Sequence, residues 1–169
     1  QQLIHKLDFT GEEMGISKNF KIEFPIPYSK HSIIQSDVDA VVDCLNNKPI
    51  TQGKVVTQFE SEISKMVDSK GTVASNSATS SLHLACLALD IQNGDIVWTT
   101  PISFIASATA ALMCGAKIDF VDVDFKTGNL DPEQLEKKID IAKAVNNLPK
   151  VLIVVHFSGR PADMLRISY

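Results

Sequence analysis

From Gly71 onward the chain alternates short apolar runs with segments of helical period, and that alternation restricts the fold more than any other feature of the sequence. Residues 71–74, 95–99, 116–123 and 151–155 read as strands. Residues 82–88, 104–114 and 135–139 read as helices between them. Consecutive strands joined through helices are parallel and connected by right-handed crossovers, so the expected class is α/β, a mostly parallel sheet flanked by helices. The run 151–155 is branched and apolar throughout, as for a strand buried on both faces. Ligands in such sheets bind beyond the carboxyl ends of the strands. Residues 75–81, 100–104, 122–124 and 156–160 stand there.

Local signals place several boundaries. Asp131-Pro132-Glu133-Gln134 offers a cap, a proline at the first helical position and a reach-back side chain. Gly115 stands where a helix over 104–114 would exit. Ahead of Gly71, Ser36 is placed to cap a helix with Asp39 reaching back, and Val38, Val41, Val42 and Leu45 share its face. A loop follows at 49–53, carrying a Gly53 expected to need freedom in φ. Val56, Phe59, Ile63 and Met66 then give a second helix to about Asp68. Residues 1–24 show neither period and read as an arm or leader; Pro25 and Pro27 enforce an extended path over 24–28.

Composition removes several function classes. Sixteen Lys and Arg are scattered among twenty Asp and Glu, for a net charge of −4, with no basic stripe interleaved with aromatics, so nucleic acid is not the expected partner. No apolar run reaches the roughly 18 residues of a membrane span, which makes the cytoplasm the default location. The odd, widely spaced Cys44, Cys86 and Cys114 fit neither a disulfide framework nor a CxxC metal site and read as reduced core residues. No HxxxH motif or carboxylate cluster suggests a metal. His83 reads as a packed helical residue, whereas His156, at a strand end, is a candidate ligand contact.

The stretch Ser75-Asn76-Ser77-Ala78-Thr79-Ser80-Ser81 passes from an apolar run directly into an apolar helix. Unpaired N–H groups and the positive end of the helix dipole meet there, which suits an anion, most often a phosphate. A Ser-rich cap that only terminates a helix has the same residues. The turn is neither GxGxxG nor GxxxxGK[ST], so dinucleotide and P-loop chemistry lack support, and GxSxG is absent.

Six motifs in register resemble the DegT/DnrJ/EryC1/StrS sugar aminotransferases: Thr51-Gln52-Gly53, residues 76–84 (NSATSSLHL), 100–104 (TPISF), Gly115-Ala116-Lys117, 120–124 (FVDVD) and 156–164 (HFSGRPADM). Residues 26–30 (IPYSK) with His156-Phe157 look closest to the pseudaminic-acid pathway enzymes, which aminate a UDP-linked 4-keto-6-deoxy sugar. The resemblance implies a fold-type I transferase dependent on pyridoxal 5'-phosphate, using a UDP-sugar and an amino-acid donor such as glutamate, and working as a homodimer. It implies that Ala78, Thr79 and Ser80 hold the cofactor phosphate and that Phe104 stacks on its ring; without the family Phe104 reads as a core aromatic. Thr51, Gln52, Gly53 and His156 are implied near the substrate. Ala78 stands where the family pattern has Gly, which bears on the tightness of the phosphate contact.

Transamination also needs a Schiff-base lysine and an acid on the pyridinium nitrogen. In the family both follow later in the chain than Tyr169, and no lysine here occupies that motif; Asp163 belongs to the earlier Pro-Ala-Asp-Met turn. The expectation is therefore an N-terminal portion of the large domain over residues 25–169, truncated at its C-terminal end and inactive alone. Two alternatives stay open: a non-catalytic remnant or dimerisation module that keeps the phosphate cup, and a sugar dehydratase of the same family with histidine in place of the lysine.

Overall fold

A computed structural model describes residues 29–168. The chain divides into two compact units, 1–53 and 54–169. The expected arm over 1–24 and the extended segment at 24–28 lie outside the described residues.

In the first unit α1 spans Gln35–Asn47. Its start differs from the expected one. Ile34, not Ser36, is the capping position, and the Asp37 carboxylate, not that of Asp39, accepts from the Ile34 N–H at 3.0 Å. Ser36 therefore falls inside the helix. Val38, Val41, Val42 and Leu45 are all exposed. In the following loop the left-handed residue is Gln52, at φ 54°, rather than Gly53. Gly53 is needed for space instead: a Cβ there would sit 2.5 Å from the Pro49 carbonyl oxygen.

The second unit opens with α2, Lys54–Met66, which ends slightly short of the expected Asp68. The strand expected at 71–74 does not form. Side chains of α2 take its polar groups in place of a neighbouring strand: Ala74 N–H donates to Glu60 Oε1 and the Thr72 hydroxyl pairs with Ser64 Oγ, each at 2.9 Å. Val73 is left 76% exposed. A strand needs a ladder partner, and among the described residues 71–74 has none.

Among the described residues three strands form, β1 at Ile96–Thr99, β2 at Lys117–Phe120 and β3 at Val151–Leu152, in the order β2-β1-β3 and all parallel. The central strand divides its side chains between two cores, as a period of two requires. Val97 packs with Cys86, Ala110 and Ala111, which belong to α3 (Ala78–Ala88) and α4 (Ala106–Leu112). Trp98 faces the opposite way, onto Val121, Leu130 and the α5 (Pro132–Ala144) residues Leu135 and Ala142. Helices on both faces of a parallel sheet are what the alternating sequence implied.

Two strand expectations need correction. Only Val151 and Leu152 of 151–155 enter the ladder, and the whole run is half-buried rather than buried on both faces. The reason is position: β3 is an edge strand among the described strands. After the last inter-strand bond, Ile153 N–H to Trp98 O at 2.8 Å, the Ile153 carbonyl accepts from the Thr99 hydroxyl at 3.0 Å. Likewise β2 covers only part of 116–123, the chain leaving the sheet after Val121 N–H donates to Thr99 O.

Helix ends follow local chemistry. Gly115 takes φ 82° and its N–H donates to Leu112 O, while Ala116 N–H reaches back to Ala111 O, the pairing of a left-handed exit. A Cβ on Gly115 would lie 3.1 Å from Asn93 Cα. Helix α4 begins at Ala106, so Phe104 lies in the preceding turn and not in a helix over 104–114. Asp131 caps α5, accepting from Glu133 N–H at 2.8 Å, with Pro132 at the first position. From α5, Lys138 donates to Phe120 O and pairs with Asp119 at 2.7 Å, its ammonium 5.0 Å from the Trp98 ring centre. That contact holds the Asp119 carboxyl below its usual range and closes the end of β2. All three cysteines are free; Cys86 is buried, which pushes its thiol up, and Cys44 and Cys114 are half-buried.

Candidate functional site

The site is built from turns of the second unit at element ends. At α3, Ser77 is the N-cap, its backbone extended at φ −162° and ψ 156°, and its Oγ accepts from Ser80 N–H at 3.2 Å. The serine hydroxyls are bonded to one another. Ser80 Oγ donates to Asn76 Oδ1 at 2.8 Å, and Ser75 Oγ lies 2.6 Å from Ser81 Oγ. Among the described residues no acceptor faces the backbone N–H of Ala78 or Thr79. Two open donors at the first turn of an eleven-residue helix, beside rotatable hydroxyls, fit a phosphate dianion.

Beyond the carboxyl end of β1 the turn 100–105 borders a cavity of about 250 Å³ lined by Thr99, Thr100, Ser103, Phe104, Ser107 and Phe120. The Ser103 and Ser107 hydroxyls pair at 2.7 Å. Phe104 is 75% exposed, so its ring face is available to a planar ligand and does not belong to the core.

Beyond β3 the chain enters a short 3-10 turn, Phe157–Gly159, with Ser158 at φ 53°. His156 precedes it and is exposed; its Nδ1 accepts from Ala162 N–H at 3.0 Å. Asp163 caps α6 (Met164–Ile167), its carboxylate accepting from Arg166 N–H at 3.2 Å. The structure therefore gives Asp163 a local structural task.

The expected site residues are not all drawn together. Ala78, Thr79 and Ser80 share one turn, but neither they nor His156 line the cavity at Phe104. Thr51, Gln52 and Gly53 lie in the first unit. Sequence reasoning missed Asn129, which is 4% exposed yet polar, its carboxamide bonded to Phe157, Arg160 and Pro161. The only signal was a Thr-Gly-Asn turn before the Asp131 cap. Among the described residues no group of three or more metal-ligating side chains occurs, and no helix is long and apolar enough to cross a membrane.

The parallel sheet with helices on both faces is shared with solved aminotransferases of fold type I, the pyridoxal-phosphate-dependent class. The chain belongs to the DegT/DnrJ/EryC1/StrS aminotransferase family, whose sequence profile matches residues 31–169. This family depends on pyridoxal phosphate. The UDP-4-amino-4,6-dideoxy-N-acetyl-beta-L-altrosamine transaminase of Campylobacter jejuni is 41% identical over 143 residues, covering 85% of this chain and 37% of that protein. Spr1654 of Streptococcus pneumoniae, in its PLP-form, superimposes with a TM-score of 0.74 at 28% identity, over 86% of this chain and 36% of that one. Helicobacter pylori PseC, an aminotransferase involved in the biosynthesis of pseudoaminic acid, gives 0.71 at 30% identity, over 83% and 37%. The chain thus spans little more than a third of the length of these relatives.

Proposed function

We propose that the whole protein is a pyridoxal-phosphate-dependent nucleotide-sugar aminotransferase, transferring an amino group from a donor such as glutamate to a UDP-linked 4-keto-6-deoxy sugar. The observation that carries this reading is the α3 terminus, where the N–H groups of Ala78 and Thr79 stand open in a family whose members use a phosphorylated cofactor. The 41% identity to a UDP-amino-sugar transaminase supports the sugar class. When bound, the cofactor supplies an electron sink for charge developing at the amino-bearing carbon.

The residues of this chain have binding and orienting tasks in that scheme. Ala78 and Thr79 donate their backbone N–H groups to phosphate oxygens, and Ser80 turns its hydroxyl from Asn76 to join them. Phe104 offers its exposed face to the cofactor ring. Thr51, Gln52, Gly53 and His156 meet the sugar nucleotide. Residues 25–169 form part of the large domain, two copies pair as a homodimer, and the chain alone does not turn over.

The test is to supply the whole protein with pyridoxal phosphate, glutamate and a UDP-4-keto-6-deoxy sugar. Release of 2-oxoglutarate matched by a 4-amino sugar is the expected result. Binding of pyridoxamine phosphate with no 2-oxoglutarate from glutamate contradicts it and points to the dehydratase branch.

A further inference from the structure

We infer that Asn129, acting with Gly128, is a positioning residue that fixes the orientation and tautomer of His156 so that the ring presents an Nε2–H donor. Asn129 spans both ends of the turn after β3. Its Nδ2 donates to Arg160 O at 3.1 Å and to Pro161 O at 3.2 Å, and its Oδ1 accepts from Phe157 N–H at 2.8 Å. The amide cannot be reversed, because an NH₂ group would then face the Phe157 N–H and an oxygen would face two carbonyls.

Asn129 is itself anchored. Its carbonyl accepts from Asp124 N–H at 2.8 Å and its own N–H donates to Thr127 Oγ1 at 3.2 Å. The Asp124 carboxylate gathers the N–H groups of Lys126 and Thr127 in the same loop. Gly128, at φ 71°, lets the Phe157 ring approach closely: a Cβ there would lie 2.7 Å from Phe157 Cδ1. Phe157, Arg160 and Pro161 are thereby held in place on either side of the left-handed Ser158.

The held turn delivers the buried Ala162, whose N–H points at His156 Nδ1 from 3.0 Å. An amide N–H needs a lone pair opposite it, so the neutral ring carries its proton on Nε2. An exposed imidazole fixed in this way can donate to a substrate oxygen but cannot take a proton through Nδ1. The use of that donor on a sugar nucleotide rests on the function proposed above; the positioning does not.

The experiment is a long-range ¹H–¹⁵N correlation on [¹⁵N]histidine-labelled protein at about pH 8, where an ordinary imidazole is neutral. The His156 signals are those lost in His156→Gln. The expected wild-type pattern is a protonated Nε2 and an unprotonated Nδ1, with widely separated shifts. In Asn129→Asp, isosteric but unable to donate to the two carbonyls, and in Asn129→Ala, both shifts move toward a common average while circular dichroism keeps its native shape. A wild-type Nδ1–H tautomer, or the wild-type separation retained in either folded variant, overturns the inference. Adding UDP-N-acetylglucosamine separates the two readings, since an unmoved Nε2 signal counts against sugar contact at His156 and leaves the tautomer result standing.

Discussion

The turns that follow β1 and β3 both leave the sheet at its carboxyl edge, yet they are held in opposite ways. After β3 the backbone at 157, 160 and 161 is bonded to one buried side chain from a distant loop, and 162 is bonded to His156. After β1 the bonds are local: a Ser103–Ser107 hydroxyl pair at 2.7 Å and a long 3.5 Å contact from Thr100 Oγ1 to Ile102 O. The exposed Phe104 sits on the locally bonded turn, where its carbonyl accepts from Ser107 N–H at 3.0 Å, and His156 on the one pinned from a distance. In the inference drawn above, that pinning is what fixes the nitrogen His156 presents.

The largest expected effect comes from unpinning the β3 turn. Asn129→Ala leaves one N–H and two carbonyls without their partner and costs about 1–3 kcal/mol in denaturant unfolding. Native-state hydrogen exchange at the Phe157 amide accelerates with it. Gly128→Ala follows at about 1–2 kcal/mol, the cost of an L side chain at a left-handed φ, with the Phe157 ring displaced as well.

A pH titration sharpens the same contrast. Asp124 is held below its usual range, first by the Thr127 hydroxyl and then by the loop N–H groups. A depressed folded-state value means its contribution is present above the unfolded pKa of about 4 and is lost as pH falls through the folded one. Phe157 amide protection is therefore flat near neutrality and falls below about pH 4. Residues 103–105 lack such a carboxylate bond and respond less. The smallest effect is that of Ser103→Ala, about 1 kcal/mol, since it removes one hydroxyl pair and leaves the buried Ser107 hydroxyl without that partner.

Local chemistry was legible at several element ends, though not at α1, whose cap falls at Ile34 and not Ser36, nor at Gln52, which takes the left-handed φ expected of Gly53. The Asp131-Pro132 start of α5 and the Gly115 exit follow from neighbours within a few residues. The α3 cap was legible for the same reason, since Ser77 and Ser80 make the cap and Ala78 and Thr79 carry the open donors, all within four residues. Long-range pairing was not legible. Residues 71–74 have strand composition, but a strand exists only with a partner, and α2 took their polar groups instead. Val151–Val155 looks doubly buried in sequence because branched residues suit an edge and a centre alike. Asn129 escaped notice because its partners lie 28 to 32 residues away and nothing near it in sequence announces them.

The central claim, that the first turn of α3 holds the cofactor phosphate, is tested most directly by Ala78→Pro. Proline at the first helical position removes one N–H and leaves the helix intact, and Ser77 already has the extended backbone that a residue before proline adopts. A hydrogen bond to a charged group contributes about 1.5–3 kcal/mol, so pyridoxamine phosphate titrated calorimetrically into the whole protein is expected to bind at least about tenfold more weakly to the variant. Equal affinity in wild type and Ala78→Pro, with both folded, would contradict the account.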